Sequence, residues 1–386
     1  MKINWQELTP EIFLKEYWQK KPLIIKNAFK DFEDPITADE LAGLAMEQEI
    51  ESRIVAQHKQ ASDNSSKWHV DMGPFEDFEQ YGEDHWTLLV QAVNNWSNPT
   101  HKLMVPFSFL PNWRLDDVMV SFSTPQGGVG PHLDQYDVFI IQGEGRRRWQ
   151  VGLPDDSLET LIPHPDLKQV SDFTPFIDEI TEPGDLLYIP PNHPHNGVAI
   201  ENSLNYSIGF QAPNTQELWS SFADKLLDEN IGTERLADKT RTVTKQPEQL
   251  VEQDIAKIKR FMLNQLEDAS FFEGFIGSAL TQSHHAMEIL IPVTPITNEQ
   301  LDDIFADNDI AFIPVLGIKS LITESPKQSL YINGEQINLC ENTQKLAQVI
   351  AKKQPLTATQ VKSFTACLKN RQLLTNLLNK GYWYIE

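Results

Sequence analysis

The sequence predicts three regions in order: a mostly β part of sandwich or barrel type over residues 1–213, a helical module over 214–284, and a mixed α+β part over 285–386. Three observations carry this division. Short alternating apolar runs separated by Gly and Pro turns fill the first region, as many short strands do. Apolar residues recur at three-to-four spacing in the second, as on one face of a helix. Helix and strand signals mix in the third. A chain of 386 residues also has room for two or three domains, at roughly 100–200 residues each.

From the N-terminus, residues 11–19 and 38–45 read as helices ahead of the β region. Val118-Met119-Val120-Ser121-Phe122, Asp137-Val138-Phe139-Ile140-Ile141 and Leu186-Leu187-Tyr188-Ile189 read as strands, being rich in β-branched and aromatic residues and bounded by turn formers. Residues 217–227 carry Leu218, Trp219, Phe222 and Leu226 at helical spacing, and Asn214 or Thr215 would cap the helix by accepting a backbone N–H. Residues 248–266 repeat the pattern with Leu250, Ile255, Ile258, Met262 and Leu266. Such a module serves dimerisation or acts as a spacer. Residues 343–352, 359–370 and 373–380 read as helices and Gly381-Tyr382-Trp383-Tyr384-Ile385 as a closing strand, a helix-turn-helix followed by a wing.

Composition excludes several function classes. Lys plus Arg number 32 and Asp plus Glu 55, a net charge of −23. That argues against nucleic-acid binding by the whole chain, because phosphates reward clustered positive charge. It leaves room for a cationic partner, and solubility explains it equally well. Near the C-terminus Lys345, Lys352, Lys353, Lys362, Lys369, Arg371 and Lys380 outnumber the acids but are scattered, as on a solvated face. Nine Trp and twenty Phe supply real cores. No apolar run approaches the roughly 18–20 residues that span a bilayer, and the start, Met-Lys-Ile-Asn-Trp-Gln-Glu-Leu, has no signal-peptide core. Cys340 and Cys367 have no metal-type spacing. The expectation is a soluble cytosolic protein without membrane or direct nucleic-acid contact.

His-x-Asp occurs three times, as His69-Val70-Asp71, His132-Leu133-Asp134 and His164-Pro165-Asp166. A His and a carboxylate two apart on a strand share a face and can supply two ligands to one metal, with a distant His completing a facial triad suited to non-haem Fe(II). Context separates the three. Gly127-Gly128-Val129-Gly130-Pro131 turns the chain into His132, and a strand follows Asp134. Pro165 blocks ladder pairing at the third copy, and Met72-Gly73-Pro74 stops any strand at the first. The remaining ligand would come from the Pro-rich bend Pro190-Pro191-Asn192-His193-Pro194-His195; on these residues either histidine serves.

Arg146-Arg147-Arg148 adds a second feature. Alternation puts Arg147 with Trp149 and Val151 on one face, so Arg147 is expected to be buried or half-buried. A buried guanidinium needs an anion, and its planar fork suits a carboxylate. A metal triad with one inward arginine is what binding of 2-oxoglutarate requires, as a chelating keto-acid with a distal carboxylate.

With these motifs, Phe13-Leu14-Lys15-Glu16-Tyr17-Trp18-Gln19-Lys20-Lys21-Pro22-Leu23, Trp86-Thr87-Leu88-Leu89-Val90-Gln91, the block from Ser121 to Gly152 and Asn205-Tyr206-Ser207-Ile208-Gly209-Phe210 complete a pattern. The chain resembles the Jumonji-C ribosomal oxygenases over nearly its whole length, and most of all the bacterial ribosomal protein arginine hydroxylases of the YcfD type. The most specific stretch is Gly128-Val129-Gly130-Pro131-His132-Leu133-Asp134-Gln135-Tyr136-Asp137. The resemblance implies a double-stranded β-helix (a cupin-like jelly roll), then helical dimerisation and winged-helix modules, hence a homodimer. By position His132, Asp134 and His195 match the iron ligands, and the His before Asn196-Gly197 holds the family position, which sets His193 aside. Arg147 matches the partner of the 2-oxoglutarate carboxylate. Asn205 and Ser123 match positions lining the co-substrate, and Gln135 and Tyr136 flank the ligands. The implied activity uses Fe(II), 2-oxoglutarate and O₂ to hydroxylate the β-carbon of one arginine in the sixteenth protein of the large ribosomal subunit, releasing succinate and CO₂. The winged helix is implied not to read DNA. Two other readings remain: a histidine hydroxylase of the same superfamily, and a non-catalytic cupin-like binding or regulatory protein. Retention of His132, Asp134, His195 and Arg147 together speaks against the second.

The acidity is also located. Asp71, Glu76, Asp77, Glu79, Glu83 and Asp84 form one run, and Asp155, Asp156, Glu159, Asp166, Asp172, Asp178, Glu179, Glu182 and Asp185 surround Lys168 in another. The second is expected to steer a cationic ribosomal protein to the site.

Overall fold

The structure, a computed structural model, describes residues 1–59, 66–307, 309–324 and 328–386. In its first half the strands are β1 (Leu23–Ile25), β2 (Ser52–Lys59), β3 (Ser66–Met72), β4 (Trp86–Val90), β5 (Leu115–Ser123), β6 (Val138–Gln142), β7 (Arg147–Gly152), β8 (Thr160–His164), β9 (Leu167–Val170), β10 (Pro175–Thr181), β11 (Leu186–Ile189), β12 (His195–Ala199) and β13 (Ser203–Phe210). Eight of them make one antiparallel sheet in the order β1-β11-β6-β13-β5-β4-β2-β3. A smaller sheet, β10-β7-β12, packs against it, and β8 and β9 form a separate hairpin. The result is the cupin-like β-sandwich that the sequence predicts.

Side-chain alternation decides what lies on each side of the large sheet. On β13, Leu204, Tyr206, Ile208 and Phe210 enter an aromatic core with Phe13, Phe107, Phe139 and Tyr188. Asn205, Ser207 and Gly209 line a cavity on the opposite face. β6 is buried on both sides: Phe139 and Ile141 join the aromatic core, while Val138 and Ile140 pack between the sheets with Trp149, Val151, Leu187 and Ile189. The helices that close the aromatic core are α1 (Pro10–Glu16), capped by Thr9, and α2 (Ala38–Leu44), with a capping box between Thr37 and Glu40; the short α3 (Asn98–His101) follows β4.

The chain then becomes helical. In α4 (Thr215–Asp228) the Asn214 side chain accepts the Glu217 N–H while Glu217 reaches back to the Asn214 N–H, a reciprocal cap that fixes the helix start. α5 (Glu252–Glu267) follows, and then α6 (Ala269–Thr281), which the apolar spacing does not single out. With Phe275, Gly274 and Gly277 buried, α6 packs on β16 (Ser329–Ile332) and β17 (Glu335–Asn338) of the next region. There the elements are α7 (Gln300–Ile304), β14 (Ala311–Pro314), β15 (Ser320–Ile322), β16 (Ser329–Ile332), β17 (Glu335–Asn338), α8 (Gln344–Ile350), β18 (Leu356–Thr357), α9 (Ala358–Phe364), α10 (Leu368–Asn379) and β19 (Trp383–Ile385). The break between the last two helices falls at residues 365–367, earlier than the predicted 371–372. Asn370 is buried and donates its side-chain N–H to the Phe364 carbonyl at 2.6 Å, which satisfies the end of α9. Among the described residues no helix is long and apolar enough to cross a membrane.

Candidate active site

His132 and Asp134 lie on a loop rather than on the regular strand expected. A single antiparallel bridge joins His132 to His195, the first residue of β12. His132 N–H donates to the His195 carbonyl at 3.0 Å and the reverse bond is also 3.0 Å. Asp134 is tied through its carbonyl, which accepts the Asn192 N–H at 2.7 Å. The bridge replaces a ladder, and the regular strand starts only at Val138.

The ligand atoms of His132, Asp134 and His195 all lie within 4.8 Å of one another. The imidazole centroids are 4.1 Å apart, and His195 Nε2 is 3.5 Å from Asp134 Oδ2. His132 Nδ1 is 2.9 Å from the Gly130 carbonyl and His195 Nδ1 2.9 Å from the His193 carbonyl. Each Nδ1 must carry the proton to make that bond, which leaves both Nε2 lone pairs free. Burial, with the neighbouring His132, pushes His195 down to about 4, so it is a neutral imidazole at pH 7. Two imidazoles and a carboxylate are the donor set of a facial triad. His193 is buried with Nδ1 on the Pro191 carbonyl and Nε2 unpaired, and it does not line the cavity. The other two motifs close on themselves: His69 Nε2 meets Asp71 at 3.0 Å and His164 Nδ1 meets Asp166 at 3.6 Å. Asp116, Asp117 and His285 also cluster, but Lys319 already takes Asp116 at 2.5 Å.

Arg147 is 4 % exposed and lines the same cavity of about 460 Å³. Its Nη2 donates to Ser123 Oγ at 2.7 Å and Ser203 Oγ at 3.1 Å, and its Nη1 contacts Ser121 Oγ at 3.5 Å. Three hydroxyls orient the guanidinium, and among the described residues no carboxylate meets it and Nε has no partner. Burial pushes it down to about 9, so it remains a cation at pH 7 without a counter-charge. Asn205 donates to Gln142 Oε1 at 3.1 Å and leaves its buried Oδ1 unpaired. Ser123 does not line the cavity itself but bonds two residues that do, Arg147 and, at 2.8 Å, Thr87. Tyr136 lines the cavity, whereas Gln135 is exposed and does not. Close approach of Trp149 requires Gly197, where a Cβ would lie 2.6 Å from the indole.

Sequence reading missed Asp117, Met119 and Arg53, which line the far end of the cavity. Asp117 is nearly buried, accepts the Ala92 N–H at 3.0 Å and is pushed up by that burial. A second cavity of about 680 Å³, with Glu51, Asp116 and Glu217 in its wall, shares Asp117 and Tyr136 with the first. The signal was available: Asp117, Met119, Ser121 and Ser123 alternate on one face of β5, so Asp117 shares the face of the serines that hold Arg147.

Comparison with known proteins adds the family. The JmjC domain family matches residues 102–218 and the ROXA-like winged helix matches residues 264–384. A ribosomal protein uL16 3-hydroxylase of Escherichia coli (strain K12) is 43% identical over 387 residues, covering 100% of this chain and 98% of that protein. A probable ribosomal oxygenase of Haemophilus influenzae is 32% identical over 87% of this chain and 85% of its own. The X-ray structure of E. coli YcfD superposes with a TM-score of 0.92 at 42% identity over the full length of both chains. A structure of YcfD with cobalt and 2-oxoglutarate gives a TM-score of 0.88 at 41% identity, over 100% of this chain and 99% of that one. Full-length identity at this level, with both domain families in the same order, makes the chain a member of the JmjC ribosomal oxygenases.

Proposed function

We propose that the chain is an Fe(II)- and 2-oxoglutarate-dependent hydroxylase acting on an arginine of a large-subunit ribosomal protein, of the uL16 type. The observation that carries the reading is Arg147, an uncompensated guanidinium in a cavity that also holds a His-Asp-His set. In this reading His132, Asp134 and His195 hold the metal, Arg147 receives the distal carboxylate of 2-oxoglutarate, and Ser123 and Asn205 complete that end of the cavity. Bound Fe(II) supplies the oxidation of a target C–H to an alcohol, with O₂ as oxidant and 2-oxoglutarate converted to succinate and CO₂.

The protein's own residues do the positioning. Ser121, Ser123 and Ser203 hold the Arg147 fork, so little reorganisation is needed when a carboxylate arrives. The Gly130 and His193 carbonyls hold both imidazoles in the tautomer that ligates. Leu89, Met119, Val138, Ile140 and Trp149 make the wall apolar, which excludes water and strengthens each polar contact. Asp117 receives a cationic target side chain at the other end, which favours arginine over a neutral histidine.

Around that core, the exposed apolar faces of α4 and α5 support a homodimer. The scattered cations of the C-terminal region support a winged helix that does not read nucleic acid, and a ribosomal substrate supports a cytosolic site. Division at residues 213 and 284 fits the β, helical and mixed character of the three stretches. With Fe(II), the purified protein is expected to convert 2-oxoglutarate to succinate in the presence of ribosomal protein from a strain lacking it, and His132→Ala to abolish this. No succinate from the wild-type protein in that assay would overturn the enzyme reading.

A further inference from the structure

We infer that Gln169 is a positioning residue for His132, and that the β8–β9 hairpin is the second support of the loop that carries His132 and Asp134. The inference rests on reading His132 as a metal ligand. That loop is held on one flank by the His132–His195 bridge. Its other flank is held by β9, where Gln169 Nε2 donates to the Val129 carbonyl at 2.7 Å and the Val170 N–H donates to the Pro131 carbonyl at 2.8 Å. Between those two anchored carbonyls lies Gly130, whose own carbonyl accepts His132 Nδ1–H at 2.9 Å.

Gly130 has φ +77°, a conformation that favours glycine, and the Gln169 amide lies so close above it that a Cβ would collide with Nε2 and Cδ. Gln169 therefore anchors the peptide before Gly130 and closes the space over it. Both constraints fix where the Gly130 carbonyl points. That carbonyl keeps the His132 proton on Nδ1, and without it the proton can move to Nε2 and occupy the lone pair the metal needs. The inner strand of the hairpin is firmly seated: Gln169 is 6 % exposed, and Leu167 packs with Val55, Val70 and Leu89, while β8 lies exposed outside it. The hairpin tip, Pro165, Asp166 and Lys168, lines the cavity, so the segment that carries the third His-x-Asp copy belongs to the site without supplying a ligand.

Two variants separate positioning from space-filling. Gln169→Met keeps the length and shape but has no N–H to donate; Gln169→Ala removes both. Co(II) affinity of the metal-free full-length protein is read by absorption titration, and histidine tautomers by ¹⁵N NMR of the imidazole rings. Both variants should weaken Co(II) binding by about tenfold or more, the loss typical when the partner that orients a ligand is removed. Both should also shift His132 away from a pure Nδ1–H tautomer, with little change in the melting temperature of metal-free Gln169→Met. Should Gln169→Ala fail to fold, Gln169→Met and Gln169→Glu carry the comparison. Wild-type affinity and tautomer in Gln169→Met would show that Gln169 only fills space and would overturn the inference. His132→Ala tests the underlying reading separately: Co(II) binding that survives it overturns the ligand assignment, and this inference with it.

Discussion

Arg147 is a cation inside the protein with serine hydroxyls around it and no anion. A buried charge without a partner is costly, so a ligand that brings a carboxylate should stabilise the fold as well as bind. We expect 2-oxoglutarate to raise the melting temperature of the metal-loaded wild-type protein, by the equivalent of about 2.7 kcal/mol at a hundredfold excess over Kd. Arg147→Gln should show almost none of that shift while binding Co(II) as the wild type does; differential scanning fluorimetry and a metal titration check the two halves. Asp117 gives a pH-dependent counterpart. Burial raises its proton affinity above that of an ordinary carboxyl, so it protonates on acidification earlier than exposed acids do, and the cationic target then loses its partner. The KM for an arginine peptide should therefore rise as pH falls, starting above the usual carboxylate range. Asp117→Asn should raise KM at neutral pH about thirtyfold or more, as expected from losing a buried charge pair, and flatten that dependence. Steady-state kinetics from pH 5 to 8 measure it. Arg147 was legible in the sequence because alternation along β7 puts it beside Trp149. Asp117 was not, because one acid in an apolar run reads as noise until the sheet shows which face is the cavity.

Among the elements, the strands are the easier to read: β5 alternates with period two, and β6 and β11 are short apolar runs bounded by turn formers, too short for a helix. The ligand loop fits a strand pattern because His-x-Asp has period two; in the structure one backbone bridge, the Asn192–Asp134 bond and the two bonds from β9 to the Val129 and Pro131 carbonyls hold it, and none of these leaves a periodic trace. α6 is harder to read because Gly274 and Gly277, both poor helix formers, interrupt its pattern. The α9–α10 break depends on a side chain, Asn370, that reaches back across it. α5 makes the opposite point: its apolar stripe is plain in the sequence, yet none of its residues is buried, with Ile255 51 % and Met262 61 % exposed. Trp219, Ile255, Ile258 and Met262 border an apolar groove of about 410 Å³, a surface that monomers rarely leave uncovered. Replacing Ile258 and Met262 together by Glu should convert a dimer to a monomer in light scattering, with the far-UV spectrum unchanged.

For the whole molecule, the net charge of −23 divides into local roles. Asp185 is bonded to Lys26 and Asp178 to Arg148, so those two acids of the stretch between Arg147 and His195 are already neutralised. Asp155, Asp156, Glu159, Asp172 and Glu179 remain exposed, and Glu51, Asp116 and Glu217 line the cavity that opens onto Asp117. A cationic substrate drawn by these groups should bind about tenfold more weakly at 0.5 M than at 0.05 M salt, while the KM for 2-oxoglutarate changes little; peptide titration at the two ionic strengths reads this. The central claim is that this chain hydroxylates a ribosomal protein, and intact-mass spectrometry of ribosomal proteins from cells with and without the gene tests it most directly. One large-subunit protein should be heavier by a single oxygen atom when the gene is present, with the addition mapping to the β-carbon of an arginine. Identical masses for every ribosomal protein in the two strains would contradict the account.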